Sequence, residues 1–254
     1  MVDESPWPLF MSLSIFSNMV MMVELLNLDN SSTAFFLLSV FFSLLVFFGW
    51  SRDIVKEGLM GGHHTIDVQN GLKMGMILFI TSEVFFFISF FWSLFHVSVS
   101  THVDIGGWPP MGINSVDPMK IPFLGTLILI SSGISVTWGH HLMIEGNLKK
   151  ELNISLCLTV CLGLLFTCFQ LMEFYESNFT INDSVFGSVF FMATGFHGFH
   201  VIIGSLMLLI CLLRSINDHL SSSHHVGLEA AIWYWHFVDV VWLFLYISLY
   251  WWSW

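Results

Sequence analysis

The chain has 254 residues, of which 56% are hydrophobic and 10% charged, where soluble domains carry about 25% charged residues. Charge this sparse excludes an ordinary soluble protein and indicates a polytopic membrane protein with little mass outside the bilayer. The formal net charge of −11 reflects only 7 Lys and Arg, too few for a polyanion-binding face, so nucleic acid is not an expected partner.

In chain order, seven apolar segments predict an all-α, polytopic transmembrane helical bundle forming a single integral membrane domain over residues 1–254. The acidic start MVDESPWP is neither a basic signal-peptide region nor an Arg-rich transit peptide. The first span, about 7–28, is interrupted by Glu24, and a polar turn at Leu28–Ser32 leads to the second, about 33–50. Ser51–Asn70 reads as a loop holding Arg52, Asp53, Lys56, Glu57, His63 and His64, with Gly61-Gly62 favouring a tight turn. The third span, about 66–98, contains GMILFITSEVFFFISFFW (Gly75–Trp92), whose single carboxylate is Glu83. As a helix rising ~1.5 Å per residue, that run is roughly 27 Å long, close to the hydrocarbon thickness of a bilayer.

The Gly/Pro-rich segment Gly106–Pro118 must lie at a membrane face, because irregular backbone is not tolerated in contact with lipid tails. The fourth and fifth spans, about 121–143 and 152–175, flank a charged turn at Glu145–Glu151. The sixth, about 185–213, ends at Arg214, and the seventh, about 228–252, follows the polar stretch His219–His225. Alternating spans put Arg52, Lys56, Lys73, Lys149, Lys150 and Arg214 on the side of the N-terminus and only Lys120 opposite. The positive-inside rule then places the N-terminus on the cytoplasmic or matrix side.

A carboxylate at bilayer depth costs at least ~2.5 kcal/mol, which makes Glu83 a candidate functional residue. The cost falls on the charged form, so a neutral carboxyl paired with a lipid group, His197 or His200 is expected. Ala193, His197, His200 and Gly204 form one small and polar stripe of the sixth span. Two imidazoles there could ligate a metal, but Glu83 is the one further donor in view, and buried polar pairing is the favoured reading. His236 and Asp239, at i and i+3, can pair on the seventh span. His140 and His141 are adjacent and point about 100° apart, so they read as imidazoles near the terminal carbonyls of a helix. Cys157, Cys161, Cys168 and Cys211 fall in apolar runs and read as small buried hydrophobes, not copper ligands or disulfides. Trp50, Arg52, Lys56, His63, His64, Arg214 and His219 gather at one interface, where phospholipid headgroups lie; ordinary topology without a specific lipid is the competing reading.

Several motifs together resemble subunit III of the haem–copper cytochrome c oxidase, mitochondrial respiratory complex IV, over nearly the whole length. They are SPWP (Ser5–Pro8), GHHT (Gly62–Thr65), the Glu83 segment, GWPP (Gly107–Pro110) and SGISVTWGHH (Ser132–His141). FTINDSVFGSVFFMATGFHGFHVIIGS (Phe179–Ser205) and HHVGLEAAIWYWHFVDVVWLFLY (His224–Tyr246) complete the set. The resemblance implies a two-plus-five arrangement of helices around a lipid-filled, V-shaped cleft. It implies no redox centre, catalytic residue or metal in this chain, with haem and copper in partner subunits and subunit I as the main contact. The implied role is support of electron transport from cytochrome c to oxygen and of proton translocation, in the mitochondrial inner membrane with the N-terminus in the matrix. Residues matching the family's phospholipid contacts are Trp50, Arg52, Lys56, Glu57, His64, Arg214 and His219, and Glu83 matches its carbodiimide-reactive intramembrane carboxylate. One alternative is the third subunit of a related quinol oxidase, which typically lacks the first two spans. Another is a membrane proton carrier using Glu83 with His197 and His200, although only Ser89 interrupts the apolar run between Glu83 and Trp92. A membrane haem or di-iron enzyme is the last.

Overall fold

A computed structural model describes residues 4–27, 32–100, 107–146 and 149–254. Seven helices among the described residues are long and apolar enough to cross a membrane. They are α1 (Trp7–Leu26), α2 (Ser32–Leu59), α3 (Ile66–Val99), α4 (Ile121–Glu145), α5 (Lys149–Glu176), α6 (Val185–Ile216) and α7 (Val226–Leu245), the last running into a π-helical turn, Tyr246–Trp251. The turn expected at Leu28–Ser32 lies mostly outside the described residues, as does Gly106 at the start of the Gly/Pro-rich segment.

The largest difference from the sequence reading is at α2. The helix does not stop near Trp50 but continues for two more turns to Leu59, so the expected Ser51–Asn70 loop shrinks to residues 60–65. Its charged residues sit on helix that has left the apolar layer. The amides of Met60, Gly61 and His63 donate to the carbonyls of Lys56 and Glu57, closing the helix end. Gly62 takes φ +61°, the left-handed conformation that the Gly-Gly pair was expected to supply.

Close contacts group the chain into two compact units, Met1–Gly71 and Leu72–Trp254, the first holding α1 and α2 and the second nearly all of α3 with α4–α7. In the first unit the indole of Trp7 lies on Gly49, where a Cβ would come within 2.5 Å of the ring. Trp7 Nε1 donates to Asp53 Oδ2 at 2.8 Å, and Asn18 Nδ2 donates to Ser43 Oγ at 2.8 Å, so α1 and α2 are joined at two depths.

The second unit is built on small residues, as expected where lipid tails remove any hydrophobic drive between helices. Ser135 and Thr159 share a hydroxyl hydrogen bond of 2.8 Å between α4 and α5, and Gly139 of α4 takes Ser155 of α5 into its side. Trp235 of α7, fully buried, fits against Gly163 of α5 and Gly204 of α6 and donates from Nε1 to Ser132 Oγ of α4 at 2.9 Å. One indole thus ties four helices together. By contrast, among the described residues α3 has little close backbone approach along another helix, and Phe86, Phe87 and Phe91 reach α6 and α7 with their rings. The π-turn aims Tyr246 and Tyr250 inward; Tyr246 Oη donates to the Pro118 carbonyl at 3.2 Å, and Trp108 Nε1 donates to Ser253 Oγ at 3.2 Å.

The cysteines differ from expectation. Cys157, Cys161 and Cys168 do form a stripe of α5, but an exposed one, and only Cys211 is buried. The packed face of α5 is instead Ser155, Thr159 and Gly163, whose small side chains admit α4 and α6 closely.

Candidate functional site

Glu83 stands midway along α3 and reaches α6. Its Oε2 lies 2.9 Å from His200 Nε2. His200 Nδ1 is 2.6 Å from the Phe196 carbonyl oxygen, which can only accept, so Nδ1 carries a proton. With that tautomer fixed, Nε2 of a neutral ring is an acceptor, and a single proton lies between Nε2 and the Glu83 carboxyl. Rings of Phe86, Phe87, Tyr234 and Phe237 surround the imidazole, with centroids between 5.2 and 6.5 Å away. The imidazole is nearly buried, while the Glu83 side chain retains 23% exposure on the outer side of α3. The pairing expected of Glu83 is present, and its partner is His200.

His197 goes elsewhere. It is fully buried one turn before His200, donates from Nε2 to the Val238 carbonyl of α7 at 3.2 Å, and packs on Phe166 and Trp242. The three-donor metal set weighed from Glu83, His197 and His200 is therefore not assembled. Both histidines do lie on the buried stripe with Ala193 and Gly204.

His236 and Asp239 share a face of α7, but His236 Nδ1 and Asp239 Oδ2 are 4.0 Å apart, beyond a hydrogen bond. His236 instead meets the Thr137 hydroxyl of α4 at 3.3 Å. Asp239 seats its carboxylate over Gly133, where a Cβ would approach Oδ2 to 2.7 Å, and its Oδ1 is buried with no hydrogen-bond partner. These residues, with Ile130, Ile134 and Trp138, line an open cavity of about 520 Å³ on the α4–α7 side.

The sequence reading passed over a second buried carboxyl. Glu173 of α5, 4% exposed, accepts from Tyr250 Oη in the π-turn and from Gln170 Nε2 at 3.5 Å. Its signal was a carboxylate inside the fifth apolar run with Gln170 three residues before it.

The residues matched to phospholipid contacts form two groups. In the first unit, Trp50, Arg52, Lys56 and Glu57 occupy the last three turns of α2, and His64 folds back on Gly58, its Nδ1 2.9 Å from where a Cβ would stand. Arg52 pairs with Asp53 at 3.1 Å. In the second unit Arg214 lies in the last turn of α6 beside Gly227. Asp218, at φ 60°, ends that helix, and the His219 amide donates to the Arg214 carbonyl at 2.9 Å, which fixes His219 one turn above Arg214. Arg214 Nε is buried with no hydrogen-bond partner among the described residues.

Seven membrane-length helices, and polar side chains that pair inside an apolar bundle, define a multi-pass helical membrane protein. The sequence profile of the family described as cytochrome c oxidase subunit III matches residues 1–254. The chain is 54% identical to the carp (Cyprinus carpio) protein named cytochrome c oxidase subunit 3 and 52% identical to the rabbit (Oryctolagus cuniculus) protein of that name. Each match covers 100% of this chain and 96% of the relative. The chain belongs to the cytochrome c oxidase subunit III family.

Proposed function

We propose that this chain is a supporting subunit of cytochrome c oxidase, free of redox centres, that packs on subunit I and binds structural phospholipids. The complex oxidises reduced cytochrome c, reduces oxygen to water and translocates protons, with haem and copper held by partner chains. The chain resides in the mitochondrial inner membrane with its N-terminus in the matrix, an orientation supported by the bias of Lys and Arg to that side.

The observation that carries the partner assignment is Asp239. The Asp239 carboxyl lines an open groove halfway along a membrane helix, its Oδ1 is buried without a partner, and lipid tails offer it no donor. A donor from an adjoining chain meets that need, and the apolar rim of Ile130, Ile134 and Trp138 suits a helix of subunit I. Asp239→Leu is expected to lower assembled complex at least about tenfold on native gels, because the partner's donor is left buried and unpaired. If Asp239 faced lipid instead, leucine would leave assembly unchanged or raise it.

Lipid binding is supported by the unpartnered Nε of Arg214, a donor suited to a phosphate oxygen, with His219 one turn above it. Arg52, Lys56 and His64, with Trp50 and Glu57, form a second headgroup site at the end of α2. An apolar cavity of about 520 Å³ between α1 and α2, lined by Met21, Phe35, Leu38 and Phe42, fits an acyl chain. Arg214→Leu is expected to remove one tightly held phospholipid from the purified complex, counted by native mass spectrometry. An unchanged lipid count would remove Arg214 from the site.

Glu83 and His200 hold α3 to α6. Their pair is enclosed by aromatic rings, and His197 turns away to Val238, which favours a structural role over a proton relay.

A further inference from the structure

A second histidine cluster lies where the C-terminal end of α4 meets the N-terminal end of α7. One ring nitrogen of His140, one of His225 and a carboxylate oxygen of Glu229 all lie within 4.8 Å of one another. The sequence separates His140 from the other two widely, and only the fold brings them together. The two rings meet edge to face with centroids 5.7 Å apart.

The hydrogen bonds at this cluster leave ring nitrogens available. His225 Nδ1 lies 3.1 Å from the Ser221 carbonyl oxygen, an acceptor, so Nδ1 carries a proton. Nε2 lies 3.4 Å from Glu229 Oε1, and in a neutral ring it is an acceptor. Two acceptors so placed are joined either by a proton, as at Glu83 and His200, or by a metal ion. Glu229 Oε2 lies 2.6 Å from Lys73 Nζ, and Oε1 faces the ring. His140 Nε2 is buried with no hydrogen-bond partner. Each histidine thus has a nitrogen available, and His225 is held by a backbone carbonyl acting on its far nitrogen, as metal-ligating histidines usually are.

We propose that His140, His225 and Glu229 form a site for a divalent transition metal of the zinc class, clamping α4 to α7 on the N-terminal side of the membrane. Two imidazoles and one carboxylate are a donor set suited to zinc, with water completing a tetrahedron. In a tetrahedron with metal–ligand bonds of about 2.0–2.1 Å the ligand atoms stand about 3.4 Å apart, the separation already present between His225 Nε2 and Glu229 Oε1. The remaining separations, up to 4.8 Å, close by about 1.4 Å at most, within reach of side-chain rotation at a helix end. His141, its ring centroid 6.4 Å from that of His140, is not among the three clustered donors. Lys73 tempers the affinity by repelling the metal but leaves Oε1 available.

The test is anomalous diffraction at the zinc edge from crystals of the intact oxidase complex soaked in Zn²⁺. A peak at bonding distance from all three residues supports the site; the absence of a peak there overturns it, with no variant required. In solution, His140→Ala complex is expected to lose one equivalent of Zn²⁺ in equilibrium dialysis, its affinity falling by more than about 100-fold, beyond the loss typical of an outer-shell partner. His141→Ala is expected to bind as wild type. Equal uptake by wild type and His140→Ala would leave His225 and Glu229 as a plain ion pair.

Discussion

Gly163→Val is expected to prevent the folded chain from accumulating in the oxidase complex, with a destabilisation above about 3 kcal/mol, at the top of the range for overpacked cores. A Cβ at position 163 would stand 2.6 Å from both Trp235 Cη2 and Ser205 Oγ, well inside contact distance. Overpacking is often relieved by a shift of the neighbour, but Trp235 has nowhere to move. Its opposite edge rests on Gly204, 2.9 Å from where a Cβ would sit, and its Nε1 is tethered to Ser132. Moving the indole would break a hydrogen bond between α4 and α7 and separate α5 from α6. Gly163→Ala, which adds only the Cβ, should give complex that assembles but melts several degrees lower. Pairing Gly163→Val with Trp235→Phe, which removes the crowded edge, should restore part of the loss, since residues in contact are not additive. Wild-type melting for Gly163→Val alone would mean that Trp235 does not hold the four helices together.

The order, number and approximate limits of the helices were legible because a segment at bilayer depth must be apolar and must satisfy its backbone within itself. Hydropathy reports where the lipid ends, however, and not where the helix ends. That is why Arg52, Asp53, Lys56 and Glu57 read as loop although α2 carries them to Leu59. The facing of a helix was far less legible. On α5 apolar residues surround the axis, so no periodicity distinguishes the packed side from the lipid side, and the stripe from Cys157 to Cys168 was assigned inward when it lies outward. The better signal was the row of Ser155, Thr159 and Gly163, because small residues mark close approach in membranes.

The polar sites divide in the same way. Glu83 was conspicuous because it is alone in its span, and the search for a partner at its depth reached His200 and His197 together. Sequence spacing could not choose between them, since both lie on the buried stripe; the choice follows from His197 meeting the Val238 carbonyl first. The Asp239–His236 pair looked complete by spacing, yet Thr137 on another helix takes the imidazole and leaves the carboxylate open. Glu173 was hidden because its partner, Tyr250, comes inward on a π-turn that local sequence does not announce. His140 was read against its own helix and His225 only as part of a polar stretch, and their meeting is a property of the α4–α7 contact alone.

At Glu83, glutamine and leucine are expected to behave very differently. His200 Nδ1 is committed to the Phe196 carbonyl, so Nε2 of a neutral ring needs a donor, and the expected neutral Glu83 carboxyl would supply one through Oε2. Glutamine can supply the same hydrogen bond from its amide, so Glu83→Gln should cost less than about 1 kcal/mol, near the mean for hydrogen bonds between membrane helices. Glu83→Leu removes the donor and strands Nε2 inside its aromatic enclosure, at about 1–3 kcal/mol. His200→Leu strands the carboxyl instead, and its cost falls in the same range because Glu83 retains some exposure on the lipid side. Melting of the purified complexes should therefore rank wild type and Glu83→Gln together, above the two leucine variants. The infrared carbonyl band of a protonated carboxylic acid should be present in wild type and lost in Glu83→Gln. If glutamine proved as damaging as leucine and no such band were lost, the proton would sit on His200, and the pair would be an ion pair. In that case the double variant Glu83→Leu/His200→Leu should recover much of the lost stability, because matched apolar groups replace a buried ion pair with little loss. The neutral reading predicts a smaller recovery, about the size of one membrane hydrogen bond.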